Sequence, residues 1–218
     1  MRLCLLASSK TAAIHLQYHA QTRGVKFSHV IISEPDPESE DVLHSYSRKN
    51  DFELFFVPEI NSDECATILE GVQPDILAIK VGETIIDERL LEIPSVATLN
   101  AHPSLLPNYR GKDAVRWTLL SGDDVGVSVH VVTSDVDGGP VVVRRRMETE
   151  PSEGVGDIIE RNYYQHSHQA MVDAILEFKL DEQDLKPQKQ IPDDQYFEMH
   201  PKLRRIVADS VEQNTHVT

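Results

Sequence analysis

Short apolar runs alternate with segments of helical periodicity through the first half of the chain. The runs predict strands, and the segments between them, whose apolar residues recur every three or four positions, predict helices. In chain order, the predicted strand and helix pairs are 3–7 with 11–23, 25–32 with 41–50, 54–57 with 62–71, and 75–81 with 84–91. Because strands separated by helices form βαβ units, this half predicts an α/β domain with a mostly parallel, twisted sheet flanked by helices.

The helix ends in this half carry residues with suitable capping chemistry. Gly24 and Gly71 occur where helix C-caps are predicted, because glycine readily adopts the left-handed backbone that ends many helices. Ser62 can cap a helix start with its hydroxyl, and Thr84 stands near another predicted start. The predicted boundaries therefore rest on local chemistry as well as on periodicity.

The second half of the chain departs from the alternation. A short strand, 96–100, leads into a proline-punctuated loop, 102–111, and then into a helix, 112–120. Two valine-rich runs on either side of a Gly-Gly turn predict an antiparallel strand pair near 124–148. Together with the parallel sheet, this arrangement is Rossmann-like.

The C-terminal part predicts one helix and an extension. Residues 155–180 have apolar residues near helical spacing and predict one long packing helix. The polar, proline-containing segment that follows predicts a short C-terminal arm with a last helix near 202–211. We therefore expect one main domain over 1–180 and a C-terminal extension over 181–218.

Composition limits the partners. The 218 residues carry a formal net charge of −15, which repels phosphate backbones and makes nucleic acid an unfavourable partner. Cys4 and Cys65 match neither a disulfide framework nor a metal-site spacing, and no metal is expected. Because no apolar run reaches the roughly 20 residues of a membrane span and the start lacks a signal-peptide pattern, we expect a cytoplasmic chain without a membrane partner. In the arm, Phe197, Met199 and His200 are candidates for a homodimer interface.

Candidate chemistry begins at the end of the strand 96–100. Asn100 and His102 are two positions apart, so an extended backbone places an amide donor and an imidazole on one side. Ligands of open α/β sheets bind beyond the carboxyl ends of the strands, which is where this pair lies. On these grounds alone, a purely structural role for the pair is an equal alternative.

The turn between the valine-rich runs offers a carboxylate. Asp137 can orient His102 and favour its imidazolium form, because the opposite charges attract. Asp before Gly-Gly is also ordinary turn chemistry, and Asp135, two residues earlier, competes for the same role. The residues by themselves leave these interpretations open.

Two motifs carry a resemblance to a known family. They are Leu-Asn-Ala-His-Pro-Ser-Leu-Leu-Pro-Asn-Tyr-Arg-Gly over 99–111 and Thr-Ser-Asp-Val-Asp-Gly-Gly-Pro-Val over 133–141. In their order and separation they resemble the paired signature of the formyltransferases that use 10-formyltetrahydrofolate. The strand–helix alternation extends the similarity over about residues 1–178. The resemblance implies a formyltransferase catalytic domain with 10-formyltetrahydrofolate as co-substrate and no metal.

The resemblance also implies a role for each residue of a triad. Asn100 would donate to the oxyanion that develops on the formyl group, and His102 would assist as a proton donor. Asp137 would support the imidazolium and relay a proton from the attacking amine. Donors that are preorganised toward a developing charge can each contribute a few kcal/mol to catalysis.

Binding residues follow from the same resemblance. The segment 80–86 is similar to the family's pterin-lining loop, and the loop 133–137 is assigned to the same pocket. The implied cofactor-binding residues are Gly82, Thr84, Ile85, Ile86, Thr133 and Val136. The substrate-binding residues implied by the resemblance are Tyr109, Arg110 and Gly111. Ser8, Ser9 and Lys10 are further candidates, because their hydroxyl and ammonium groups can hold a phosphate although the family's glycine-rich loop is missing there.

Departures from the family pattern narrow the formyl acceptor. Members that act on glycinamide ribonucleotide usually carry a glycine-rich loop after the first strand, where this chain has Ala-Ser-Ser-Lys-Thr over 7–11. Tyr-Arg-Gly over 109–111 resembles the branch with methionyl-tRNA and sugar-nucleotide enzymes, and the acidic charge disfavours tRNA. We expect a small amine as acceptor, with an amino sugar on a nucleotide as the leading candidate. The alternatives are glycinamide ribonucleotide or methionyl-tRNA as acceptor, a 10-formyltetrahydrofolate hydrolase, and a non-catalytic folate-binding protein.

Overall fold

The computed structural model describes residues 1–33, 37–82, 84–180, 188 and 195–215. These residues fall into two units, each with its own internal packing. The first unit contains the described residues of 1–100 together with 171–180, and the second contains those of 101–170 together with 188 and 195–215.

The first unit is built on five parallel strands. They are β1 (Leu3–Ala7), β2 (His29–Ser33), β3 (Glu53–Val57), β4 (Ile76–Lys80) and β5 (Ala97–His102), whose last two residues belong to the second unit. Their order is β3-β2-β1-β4-β5, and every neighbouring pair is parallel. All residues of β1 and β4 are buried, which explains why both strands are nearly continuous apolar runs.

The helices of the first unit confirm most of the predicted alternation. They are α1 (Lys10–Thr22), α2 (Pro37–Asn50), α3 (Asp63–Val72) and α4 (Glu88–Leu91). The Ser62 hydroxyl accepts a hydrogen bond from the Cys65 N–H at 3.2 Å, so the predicted cap of α3 is confirmed. Gly24 follows α1 with a φ of +71° and is also confirmed as a helix terminator.

Several predicted boundaries in this unit are wrong, among them the start of α2, which lies at Pro37 rather than residue 41. The second strand begins at His29 rather than residue 25, because the buried Val25 and Phe27 belong to the connection that precedes it. Gly71 lies inside α3, since the helix continues through the buried Val72 and ends at Gln73, which has a φ of +46°.

The predicted helix 84–91 is reduced to its last four residues in α4. The side chain of Asn61 explains the difference, since it donates to the Ile85 carbonyl at 2.9 Å and accepts from the Asp87 N–H at 2.9 Å. These bonds hold the chain before α4 in a non-helical form. The N-cap is therefore Asp87, not Thr84.

The second unit holds the predicted antiparallel pair. Its elements are β6 (Arg110–Gly111), α5 (Ala114–Ser121), β7 (Gly126–Val131), β8 (Val141–Arg146), α6 (Val155–Glu160), the start of α7 (Ser167–Leu180), β9 (Gln195–Tyr196) and α8 (Pro201–Thr215). β7 and β8 pair antiparallel, and β6 pairs with β9 in a separate two-stranded sheet. The strand order continues from β5 to β7 and β8, so the mostly parallel, Rossmann-like sheet of seven strands is confirmed.

The helical run over 155–180 contains an element that the sequence does not predict. A π-helical turn, Arg161–His166, lies between α6 and α7, so the expected single α-helix is interrupted. Asn162 in this turn is fully buried, and its amide donates to the Gly126 carbonyl at 2.9 Å. A π turn holds more residues than an α-turn, which accommodates this inward-facing amide at the cost of regular spacing.

The C-terminal arm packs against the rest of the second unit. Met199 is only 1% exposed, and its N–H donates to Asp113 Oδ2 at 2.8 Å. The prediction that Met199 contributes to a homodimer interface is therefore wrong, because its side chain is already buried within the protomer. Phe197 is 72% exposed, and its carbonyl accepts a hydrogen bond from Trp117 Nε1 at 2.9 Å.

Both cysteines lie in the first unit and are fully buried. Burial raises the pKa of the Cys65 thiol to about 11 and raises the pKa of the Cys4 thiol further still. Within the described ranges, no helix is both long and apolar enough to cross a membrane.

Candidate active site

His102 is buried at the C-terminal end of β5, with 3% of its surface exposed. Its Nε2 lies 2.7 Å from the Tyr109 carbonyl oxygen, and its Nδ1 lies 3.3 Å from Asp137 Oδ2. A neutral imidazole has one N–H and can donate to only one of these two acceptors, whereas the imidazolium can donate to both. The surroundings of the ring are therefore complementary to its protonated form.

Asp137 collects donors from three parts of the second unit. Besides His102, its Oδ2 accepts from the Gly111 N–H at 2.9 Å, and its Oδ1 lies 3.4 Å from Nε2 of His130 on β7. Burial alone would raise the pKa of Asp137, but His102, His130 and the Gly111 N–H together lower it well below its usual range. The side chain is therefore a carboxylate under all ordinary conditions.

The Asp137 backbone has an unusual conformation in the turn between β7 and β8. Its φ is +48°, in the left-handed region where non-glycine residues are uncommon and aspartate is among the most frequent. Gly139, two residues later, approaches the neighbouring strand closely, since a Cβ atom there would lie 1.9 Å from the Val131 carbonyl oxygen. The backbone of the turn therefore favours the Asp-Gly-Gly sequence, independently of any role of the Asp137 carboxylate.

Opposing influences act on the protonation of His102. Burial is the largest and lowers the pKa of the imidazole, and the neighbouring His130 and Arg110 lower it further. The Asp137 carboxylate and the Tyr109 carbonyl act in the opposite direction. The net result is a pKa below the ordinary histidine value of 6.5. Asp137 is thus the main charged group that favours the protonated form of His102.

We expect the Asp137→Asn variant to protonate His102 at a still lower pH than the wild type. The substitution removes the only negative charge among the groups that shift this pKa and leaves burial, His130 and Arg110 in place. Titration of the His102 ring resonances by NMR measures the effect. Asp124→Asn, in which an exposed partner of Arg146 loses its charge, is the matched control and should leave the titration unchanged. An increase in the His102 pKa in Asp137→Asn would contradict the electrostatic account.

The loop that carries the predicted substrate-binding residues contributes mainly backbone groups. The Tyr109 ring is 7% exposed, its hydroxyl donates to Asp123 Oδ2, and its ring centroid lies 5.2 Å from that of Tyr196. Its carbonyl, not its ring, contacts His102. Arg110 is half-buried and donates from Nη2 to Gln188 Oε1 at 3.1 Å, while Gly111 supplies the N–H to Asp137.

Asn100 is half-buried on β5, where its register partner on β4 is Ile79. It precedes His102 by two residues on the same strand. Side chains alternate along a strand, so the amide of Asn100 projects to the same face of β5 as the imidazole.

The remaining predicted residues lie on strand-end loops of their own units. In the first unit, Gly82, Thr84 and Ile85 are exposed and Ile86 is buried. In the second unit, Thr133 and Val136 are both exposed in the turn after β7. The structure therefore presents most of the predicted folate-binding residues to solvent.

The loop after β1 is tied to the end of β4 within the first unit. The Ser8 N–H donates to the Lys80 carbonyl at 3.1 Å, and the Ser9 hydroxyl accepts from the Ala12 N–H at 3.2 Å as the N-cap of α1. Lys10 is the first, half-buried residue of that helix. Lys80 itself is 3% exposed, and burial lowers the pKa of its ammonium group to about 7. The hydroxyl of Ser9 is thus already used in capping.

Two residues of the site escape prediction from sequence. His130 is 2% exposed and faces Asp137, and the alternation of β7 gives the only signal, since His130 shares a face with Ser128 and not with the valines. Gln188 contacts Arg110 and the backbone of the 137–139 turn, and it lies in a polar segment that has no periodic pattern.

The chain is similar in sequence to known proteins. The sequence profile of the family described as Formyl transferase matches residues 1–175. The methionyl-tRNA formyltransferase of Thermotoga sp. (strain RQ2) is 31% identical over 136 residues, which are 62% of this chain and 43% of that protein. The chain thus spans less than half the length of this curated relative.

Solved structures extend the similarity to the fold. Glycinamide ribonucleotide transformylase 1 from Symbiobacterium toebii superimposes with a TM-score of 0.68 at 21% identity, covering 86% of this chain and 93% of that one. A sugar N-formyltransferase from a Shewanella species superimposes with a TM-score of 0.64 at 16% identity, covering 91% and 76%. Because the family profile matches most of the chain, the protein belongs to the formyl transferase family.

Proposed function

We propose that the protein transfers the formyl group of 10-formyltetrahydrofolate to the amine of a small molecule. The observation that carries the proposal is the buried contact between His102 and Asp137, with an Nδ1–Oδ2 distance of 3.3 Å. A buried imidazole that is held beside a carboxylate can give a proton to an oxyanion without forming a covalent bond to substrate. Formyl transfer to an amine passes through a tetrahedral oxyanion, which such a proton donor stabilises.

In the proposed reaction, 10-formyltetrahydrofolate supplies the formyl carbon that the acceptor amine attacks. As the new C–N bond forms, the carbonyl electrons move to oxygen, where the Asn100 amide and the His102 imidazolium are assigned as donors. Asp137 holds the imidazolium and relays a proton from the attacking amine through a water without retaining it. Collapse of the oxyanion returns its proton to His102 and breaks the bond to the folate nitrogen, which leaves with the proton relayed from the amine.

His102 must change a hydrogen-bond partner during this reaction. Its Nδ1 faces Asp137, so the proton for the oxyanion has to come from Nε2, which lies 2.7 Å from the Tyr109 carbonyl oxygen. The Nε2–H must therefore either donate to the formyl oxygen and the Tyr109 carbonyl at once, or leave the carbonyl and donate to the formyl oxygen alone. The loop that contains Tyr109 is thereby coupled to the protonation of substrate.

The folate contacts are assigned by resemblance to Gly82, Thr84, Ile85 and Ile86 in the first unit and to Thr133 and Val136 in the second. Exposure supports the assignment, since Ile85 is 74% and Val136 is 38% exposed. Exposed apolar side chains of this kind are suited to packing against a planar ring system.

The acceptor is proposed to be an amino sugar on a nucleotide, bound by Ser8, Ser9, Lys10, Tyr109, Arg110 and Gly111. The net charge of −15 disfavours a nucleic-acid acceptor, and the catalytic part is proposed to span 1–180. Methionyl-tRNA and glycinamide ribonucleotide are the alternative acceptors, because relatives and structural neighbours are named for them. Either alternative uses the same His102–Asp137 pair.

The test is a formyl-transfer assay that follows release of tetrahydrofolate. Acceptors are nucleotide amino sugars, glycinamide ribonucleotide, methionyl-tRNA and water alone, and Asn100→Ala is the variant compared with the wild type. We expect turnover with one amine and a loss of about 100-fold in Asn100→Ala, which is typical for removal of one oxyanion donor. Equal formate release with and without amines would instead indicate a hydrolase. Absence of turnover with every acceptor, despite saturable binding of a folate analogue, would refute catalysis.

A further inference from the structure

Gln188 connects the C-terminal arm to the turn that carries Asp137. Its Nε2 donates to the Asp137 carbonyl at 3.0 Å and to the Gly139 carbonyl at 2.5 Å. Its Oε1 accepts from Arg110 Nη2 at 3.1 Å. A glutamine amide has two N–H donors and one carbonyl acceptor, so both N–H groups and the carbonyl oxygen are engaged at this one position.

The position of the two carbonyls gives these bonds a consequence for the carboxylate. They belong to Asp137 itself and to the second glycine after it, so Gln188 fixes the backbone on the C-terminal side of the catalytic carboxylate. Asp137 has a φ of +48°, a conformation that persists only where surrounding contacts enforce it. The side-chain direction of Asp137 depends on this backbone.

The same arm also contacts the loop that supplies the Gly111 N–H. β9 pairs with β6 in the register Arg110 with Gln195 and Gly111 with Tyr196, and the Lys112 N–H donates to the Tyr196 carbonyl at 2.9 Å. The family profile ends at residue 175, so these contacts come from a part of the chain beyond it. The arm therefore contacts the site at two points: Gln188 binds the turn that contains Asp137, and β9 pairs with β6, whose Gly111 N–H donates to Asp137.

We propose that Gln188 is a positioning residue of the active site, which clamps the Asp137 turn and the Arg110 side chain so that the carboxylate faces His102. The proposal rests on the proposed function for its kinetic effect, but its geometric effect on His102 is independent of any reaction. Gln188 touches no reacting atom. It acts through Asp137.

Two substitutions separate the contacts of Gln188. Gln188→Met has a similar length but removes all three hydrogen bonds. Gln188→Glu keeps an acceptor for Arg110, removes both donors to the carbonyls and places negative charge against them. Gln165→Met is the matched control, because Gln165 is an exposed glutamine of the same unit.

We expect kcat to fall about 10-fold in both Gln188 variants, with KM for both substrates changed by less than about twofold, because misplacement of a catalytic group affects the chemical step more than binding. Gln165→Met should retain wild-type kinetics. In Gln188→Met, NMR should show His102 protonating at lower pH than in the wild type, because the Asp137 carboxylate is no longer held beside it. A purely structural role for Gln188 would lower the melting temperature without either effect.

Thermal unfolding is measured first, and Gln188→Asn replaces any variant that does not fold, with the same expectations. Wild-type kcat together with a wild-type His102 titration in folded Gln188→Met would overturn the proposal. Full activity in Gln188→Glu combined with loss in Gln188→Met would overturn the role of the carbonyl contacts. A wild-type protein that transfers no formyl group would count against the proposed function alone, since the NMR titration still decides whether Gln188 positions Asp137.

Discussion

Replacement of Asp137 with asparagine is expected to lower kcat for formyl transfer by about 100- to 1000-fold, in the range seen when an electrostatic catalytic group is removed. Asparagine has almost the same shape but no charge, so the imidazolium of His102 loses its counter-ion in a buried site. Its amide also presents two N–H donors to a position that is surrounded by donors from His102, His130 and the Gly111 backbone. KM should change little, because none of these contacts is made by substrate.

Single-turnover kinetics at saturating folate and acceptor measure this effect on the chemical step. Asp124→Asn carries the same chemical change on an exposed side chain paired with Arg146, and its kcat should remain within about twofold of the wild type. The sequence alone leaves Asp135 as a competitor for the catalytic role. A larger loss of kcat in Asp135→Asn than in Asp137→Asn would show that the assignment of the carboxylate is wrong.

Replacement of Gly111 with alanine is expected to destabilise the protein by about 2–4 kcal/mol, the range of a strained backbone combined with an overpacked contact. Gly111 has a φ of +93°, and a Cβ atom on it would lie 2.3 Å from the Tyr196 carbonyl oxygen. Because that oxygen is backbone in β9, it cannot move without separating β9 from β6. The Gly111 N–H would then shift from Asp137, so the folded fraction should also lose most of its formyl-transfer activity.

Urea unfolding monitored by circular dichroism gives the change in the free energy of unfolding. Gly156→Ala is the matched control: Gly156 lies in α6, and its Cβ would meet no atom within 4 Å. Alanine is favoured over glycine in helices by about 1 kcal/mol, so this variant should be as stable as the wild type or more stable. Equal stability of Gly111→Ala and Gly156→Ala would contradict the close approach of β6 and β9.

The architecture could be predicted because its signals are local. Parallel strands that are buried on both faces consist of consecutive apolar residues, as in β1 and β4. In the helices between them, apolar residues recur every three or four positions. The antiparallel pair of β7 and β8 is marked by a short turn between two valine-rich runs. None of these signals depends on residues that are distant in the chain.

The wrong boundaries arise where a distant side chain competes with local preference. Asn61 binds the backbone at Ile85 and Asp87 and prevents a helix that periodicity favours over 84–91. Asn162 reaches the Gly126 carbonyl from within a helical run whose apolar spacing gives no indication of a π turn. Burial of Met199 is likewise decided by the packing of the arm, not by its neighbours in sequence.

The site was predictable to the extent that it lies in motifs. Asn100, His102 and Asp137 stand in two recognisable segments, and His102 and Asp137 are adjacent in the structure. His130 was missed because strand alternation shows which face it occupies but not which turn residue it meets. Gln188 was missed because its partner Asp137 is 51 residues away and its own segment has no pattern.

The buried thiols of Cys4 and Cys65 allow opening of the first unit to be measured by chemical labelling. Cys4 lies in the central strand β1 and Cys65 in α3, and neither has exposed surface in the folded protein. The thiolate is the form that attacks alkylating reagents, and the raised pKa values of both residues keep it scarce until water reaches them. Labelling of these cysteines therefore proceeds through opened molecules, and its rate measures the population in which β1 and α3 have opened.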